Sequence, residues 1–164
     1  MDEFASRQYP VQEHMVFQRR TWIIQRIGWA ILAAVCLAAL TGLFGGGILS
    51  DRTIEGAAMT IEYERFERAT RLAHYGFHFA PTENKERHLH LSRNFQDKFE
   101  ITSIQPAPLW SVTTADGLEL IFAVTPSVAN QVTIWARPHD YGSVAVEAHA
   151  DDNPPSNFRV FIYP

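Results

Sequence analysis

The chain has 164 residues, 20% of them charged, and a formal net charge of −4. Residues 1–26 hold four arginines against three acids, whereas residues 50–164 hold ten basic against fifteen acidic side chains, so the C-terminal part lacks the basic face that nucleic acid demands. The single cysteine, Cys36, excludes an intramolecular disulfide, and residues 50–164 suffice for one domain with its own core, without metals or disulfides.

In chain order, residues 1–26 read as a cytoplasmic arm with a juxtamembrane helix, in which 15–24 continue the following helix inward. Residues 27–49 carry no charge. At about 1.5 Å per residue they cross a hydrocarbon core of about 30 Å with some tilt, which predicts a single transmembrane helix. The run exceeds a signal-peptide core of about 7 to 15 residues, and its exit, Gly45-Gly46-Gly47-Ile48-Leu49-Ser50-Asp51, offers no A-x-A-like cleavage site; an uncleaved signal anchor is expected. Arg19, Arg20 and Arg26 lie just before the span and only Arg52 equally close after it, although Arg65, Arg68 and Arg71 follow further out. This bias predicts a cytoplasmic N-terminus and an outer C-terminal domain, with Trp22 and Trp29 at the membrane interface. Ala30, Ala34, Ala38, Gly42 and Gly46 recur every four residues. Small residues permit close helix approach in lipid, so the stripe reads either as a docking face for a membrane protein partner or a second copy, or as the ordinary abundance of Ala and Gly in membrane helices. The three glycines 45–47 are expected to loosen the outer end of the helix.

From residue 57 onward the hydrophobic period is two. Inward rows are expected at Met59, Ile61 and Tyr63; Tyr75, Phe77 and Phe79; Leu89 and Leu91; Leu118, Leu120, Phe122 and Val124; Val132, Ile134 and Ala136; Val144, Val146 and Ala148; and Phe158, Val160 and Ile162. Segments 99–104 and 109–114 are further short strands, and 65–72 reads as an irregular edge or a short helix. Asp116-Gly117 predicts a type I′ hairpin turn, and Pro81, Pro106, Pro108, Pro126, Pro138, Pro154 and Pro155 break the other runs. Eight or nine strands at this spacing predict an all-β domain, with an immunoglobulin-like β-sandwich as the expected fold, although no Cys-Trp-Cys pattern is present.

His74 and His78 fall on the non-core face of one strand, and His88 and His90 on that of the next. An antiparallel hairpin around 81–85 would put His78 opposite His88 or His90, with Cβ atoms about 5 Å apart. Such a cluster suits copper or zinc, or a pH sensor; the alternative is a set of solvated polar positions. Glu86 and Asp97 are the available carboxylate supports. Asp151-Asp152-Asn153, ahead of Pro154-Pro155, reads as a solvated loop, with calcium contact as the alternative. There is no G-x-S-x-G elbow, P-loop, dinucleotide fingerprint or EF-hand, so no catalytic residue and no cofactor are expected. Trp110 and Trp135, with Phe161 and Tyr163, exceed the needs of one core. Trp135, Phe161 and Tyr163 lie opposite the inward rows of their strands, which predicts a partner-binding patch unless a loop covers them or the faces are reversed.

The runs Arg20-x-x-x-x-Gln25-Arg26-x-Gly28-Trp29, Gly42-Leu43-Phe44-Gly45-x-Gly47-x-Leu49-Ser50 and Ile61-Glu62-Tyr63-Glu64-Arg65-Phe66-x-Arg68, with the aromatic-Pro pair Tyr163-Pro164, resemble a family of uncharacterised small single-pass bacterial inner-membrane proteins. The resemblance is strongest in the membrane-proximal half. It implies a bacterial inner-membrane setting, a short β-rich outer domain and a companion role to a multi-pass protein. It supplies no catalytic residues. The expected function is that of a non-enzymatic accessory protein of the cell envelope.

Overall fold

The computed structural model describes residues 15–41, 47 and 49–164. Its first element is α1 (Met15–Leu40), built from a run dominated by Ala, Leu and Ile. Within it, Gln18–Leu40 is long and apolar enough to cross a membrane. From residue 18 to residue 41 every side chain is exposed except that of the half-buried Ala38. The Arg26 guanidinium sits 3.8 Å from the Trp22 ring centroid one turn away, a cation–π contact in the arginine-bearing N-terminal half of the helix. The helix does extend back through 15–24, but it ends at Leu40 rather than Leu49. Thr41 Oγ1 donates to Ala38 O at 3.0 Å, and a run of glycines follows, each costing about 1 kcal/mol in a helix interior. Of the small-residue stripe, Ala30, Ala34 and Ala38 lie on α1, while Gly42 and Gly46 fall outside the described residues.

The chain divides into two compact units between Leu37 and Ala38, and the second contains the β domain. One sheet holds β1 (Asp51–Glu55), β2 (Met59–Glu64), β4 (Ala73–Phe79), β9 (Asn130–Pro138) and β6 (Phe99–Gln105), in that spatial order. The other runs β3 (Phe66–Arg68), β11 (Ser156–Tyr163), β10 (Gly142–Ala150), β5 (Glu86–Ser92), β8 (Gly117–Ala123) and β7 (Trp110–Thr113). Every pairing is antiparallel except β3 with β11. The alternating apolar rows face each other: Ile61, Tyr75, Phe77 and Ile134 from one sheet pack with Leu89, Leu120, Phe122, Val146 and Val160 from the other. Rings meet across the layers, Tyr63 and Phe158 at 4.9 Å between centroids. Burying each such side chain stabilises the fold by about 1.5 to 3 kcal/mol, which is why the period-two pattern decides the layering.

Three elements depart from the periodicity. Segment 65–72 contains the short edge strand β3, and charged β1 lengthens the first sheet. A one-turn helix, α2 (Arg93–Lys98), links β5 to β6 and so carries the chain from one sheet to the other. Its Phe95 is fully buried, stacked on Phe99 at 4.8 Å and edge-on to Tyr75 at 5.1 Å.

The hairpin at Asp116-Gly117 exists, but not as a type I′ turn. Asp116 has no positive φ, Gly117 already belongs to β8, and Thr114 N–H donates to Gly117 O at 2.7 Å. Glycine is required there for close approach: with φ at +152°, an added Cβ would lie 2.0 Å from Leu91 O. Gly117→Ala is therefore expected to cost about 1 to 3 kcal/mol, read as a lowered urea midpoint of the full-length protein in detergent.

Candidate functional site

The β4–β5 hairpin that would join the four histidines does not form. β4 is flanked by β2 and β9, so neither of its edges is open to β5, and the connection at 80–85 passes to the other sheet. His74 and His78 therefore lie on the outer face of the first sheet and His88 and His90 on the outer face of the second, with the core between them. Exposed His74 pairs with Trp135, and His78 Nε2 lies 3.2 Å from Glu62 Oε2.

The second sheet instead assembles a different group. β10 pairs with β5 so that His149 stands directly opposite His90, and β8 places Glu119 opposite His90 on the other side. The His90 and His149 rings stack with centroids 4.6 Å apart and planes 21° apart. His149 Nδ1 is 2.8 Å from Asp151 O; a carbonyl only accepts, so Nδ1 carries a proton and donates it. His88 Nδ1 lies 2.8 Å from Glu119 Oε1, which orients that ring in the same sense. Burial, and secondarily the neighbouring His149, hold the His90 pKa below its usual value of 6.5, so its lone pair is available at neutral pH. These side chains line an open cleft of about 630 Å³ with Glu86, Asp151, Asp152, Asn84 and Lys85.

Asp151 organises this cleft. It sits at positive φ (50°) in the turn after β10, where Asp is among the tolerated residues. Its carboxylate accepts from the His88 backbone N–H at 3.0 Å and from the Arg87 guanidinium. Arg87 is 4% exposed, also donates to Ala80 O, and lies over the Phe79 ring. The loop 151–153 is thus tied to the core edge rather than simply solvated. Alternation along β5 carries the signal for Arg87, since it shares the inward face of Leu89 and Leu91. Nothing local signals His149, whose place beside His90 arises from a pairing of segments about sixty residues apart.

A second perturbed group is Glu67 on β3, 2% exposed. The Tyr75 hydroxyl donates to its Oε1 at 2.6 Å, while Oε2 is buried without a hydrogen-bond partner. Burial, with Glu64 nearby, pushes the Glu67 pKa up to about 8, against the lowering effect of the Tyr75 bond. The Tyr75 hydroxyl is itself raised well above its usual range by burial and by Glu67.

The three aromatics do not form one patch. Trp135 is half-buried on the outer face of the first sheet, whereas Phe161, 47% exposed, and half-buried Tyr163 lie on the outer face of the second. Phe161 packs edge-on against Phe66 across the β3–β11 pair at 6.5 Å. Trp110, 69% exposed, stands on edge strand β7 opposite Ile121.

No protein-family model matches the chain, and no curated protein matches it. Among solved structures, the chain resembles the CARDB domain of a Pyrococcus furiosus protein in complex with di-metal ions. The two share 12% identity at a TM-score of 0.43 over 71% of this chain and 97% of that one.

Proposed function

We propose that the protein is a single-pass, membrane-anchored accessory protein of the bacterial cell envelope, with its β domain outside the cytoplasmic membrane and no enzymatic role. The observation that carries this reading is α1, whose Gln18–Leu40 stretch is apolar and exposed around its whole circumference. Such a helix needs an apolar medium. The excess of Arg19, Arg20 and Arg26 on its N-terminal side supports a cytoplasmic N-terminus. The finer fold proposed for the outer domain is immunoglobulin-like. In support, β2-β4-β9-β6 follow the A-B-E-D order and β5-β10-β11 the C-F-G order in chain sequence, with the β7–β8 hairpin added beside C.

The small face of Ala30, Ala34 and Ala38, continued in sequence by Gly42 and Gly46, is the proposed contact with a membrane protein partner or a second copy. Affinity purification of the full-length protein from its native membrane in mild detergent tests this. A stoichiometric membrane protein, or a homodimer, is expected to co-purify. Ala34→Ile is expected to lower its recovery while leaving membrane insertion intact. Recovery of the wild type alone, or undiminished recovery with Ala34→Ile, rejects the docking role.

A further inference from the structure

Among the described residues the two sheets end in four edge strands, β1, β6, β3 and β7. An open edge offers unpaired N–H and C=O groups to any extended chain, and proteins blunt such edges with charge, a bulge or extreme shortness. Three of these edges are blunted. β1 carries Asp51, Arg52 and Glu55, β3 has three residues including Glu67 and Arg68, and β6 carries Glu100 and a register break between Ile101 and Ser103. β7, Trp110-Ser111-Val112-Thr113, has no charge, no proline and no such break, and all of its residues are exposed.

Two bonds to β8 fix the hydrogen-bonding sides of this strand. Thr114 N–H donates to Gly117 O at 2.7 Å and Leu109 N–H to Ile121 O at 2.7 Å, so Gly117, Ile121 and, by alternation, Glu119 turn their carbonyls toward β7. Opposite Ile121 and Glu119 stand Trp110 and Val112, whose N–H and C=O groups are therefore engaged by β8. The N–H and C=O of Ser111 and Thr113 then aim at the open edge. Side chains alternate as well: Trp110 and Val112 share the outer face with Ile121 and Glu119, while Ser111 and Thr113 point inward, where Thr113 Oγ1 accepts from Gln96 Nε2 at 3.4 Å.

We infer that β7 pairs antiparallel with β7 of a second copy of this chain, joining their second sheets edge to edge. The edge is self-complementary. Ser111 and Thr113 flank Val112 symmetrically, so a two-fold axis through Val112 sets Ser111 of each copy opposite Thr113 of the other, and every edge-facing N–H and C=O of both strands finds a partner. Val112 then faces Val112 of the second copy, and each Trp110, 69% exposed, reaches that valine diagonally. Self-pairing at β1, β3 or β6 would crowd charged side chains of both copies along one seam, whereas the β7 seam is uncharged and apolar on its outer side. The acidity of the whole domain opposes this only at long range, where salt screens it over about 8 Å. A contact this small is reversible and concentration-dependent.

The test is disulfide cross-linking of the full-length protein in detergent, with Cys36→Ala removing the single native thiol. Val112 alone faces itself across the axis, as a non-hydrogen-bonded pair with Cα atoms about 4.5 Å apart, within disulfide reach. Val112→Cys is therefore expected to give a disulfide-linked dimer under mild oxidation. Trp110→Cys, on the same face, should not, since residues 110 of the two copies lie about 13 Å apart along the strands. Adding Thr113→Pro to Val112→Cys removes an edge-facing N–H while sparing the ladder with β8, and should lower cross-linking by at least about 10-fold. The unmutated chain gives an independent reading: hydrogen exchange at the Ser111 and Thr113 amides should slow by at least about 10-fold as protein concentration rises. Equal cross-linking with Trp110→Cys, undiminished cross-linking with Thr113→Pro, or concentration-independent exchange at the two amides overturns the pairing. Amides that exchange fast in the purified protein at every concentration, yet slowly in the native membrane, would assign the edge to a strand of another protein and likewise overturn self-pairing.

Discussion

Glu67→Gln is expected to flatten the pH dependence of stability between about pH 5 and 8, by about 1.4 kcal/mol per pH unit. The cause is burial of an acid carried on the inner face of the short strand β3, with one oxygen on the Tyr75 hydroxyl and the other unpartnered. Below its ordinary value of 4.5 the carboxyl is protonated in both folded and unfolded chains, and its contribution is fully present. Above 4.5 the unfolded carboxyl ionises while the folded one stays neutral up to about 8. The unfolded state then binds fewer protons, so stability falls with rising pH and the loss is complete above the folded value. Integrated over that window, the loss is about 5 kcal/mol. Glutamine keeps an acceptor for Tyr75 but places a new N–H₂ where Oε2 is unpartnered, at a cost of about 1 to 3 kcal/mol. The variant should therefore be the less stable protein at pH 5 and the more stable one at pH 8. Urea unfolding of both full-length proteins in detergent across this range decides the matter; parallel pH profiles would show that Glu67 is not the titrating group.

Asp151→Ala is expected to destabilise the protein by about 3 to 5 kcal/mol, because it strands a guanidinium that the fold keeps almost fully buried. Arg87 then has only Ala80 O and the face of Phe79, neither of which neutralises its charge. The second change Arg87→Met should recover most of the loss, since an apolar side chain of similar length removes the need for a counter-charge. Thermal unfolding of the two single variants and the double variant forms the cycle. Additive losses would mean that the pair is not coupled. Because the pair is shielded from solvent, the effect should persist in high salt, unlike that of the exposed Arg93–Asp97 pair.

Much of the architecture was legible in the residues. The apolar, charge-free run announced the helix, and alternation at Tyr75-x-Phe77-x-Phe79, Leu118-x-Leu120-x-Phe122 and Val144-x-Val146-x-Ala148 announced strands and their inward faces. Both patterns report local periods, which burial alone enforces. Less legible were the pieces whose form depends on partners. β3 holds three residues, too few for a period, and exists because β11 offers it an edge. α2 shows only Phe95, four residues before Phe99 at the start of β6, a spacing that makes sense once both rings are seen against Tyr75. Gly117 read as a turn glycine, whereas its constraint comes from the Leu91 carbonyl of a neighbouring strand.

The site divides in the same way. Alternation alone put His88 and His90 on an outward face, but it could not say which strand would lie beside them. Sequence proximity suggested β4 and its His74 and His78. The hydrogen-bonding edges of β4 were taken by β2 and β9, and those of β5 by β10 and β8. The residue that completes the cluster is consequently His149, reached only through a long-range pairing. The amino-acid sequence by itself determined a helix long and apolar enough to cross a membrane, an acidic β domain and the inward rows of its seven longer alternating strands, because each follows from hydrophobicity read along the local chain. Strand partnership, the buried Arg87–Asp151 and Glu67–Tyr75 contacts and the His90–His149 pair were decided only in the tertiary structure. Each strand offers just two edges, and which neighbour takes them is a competition among segments far apart in the chain.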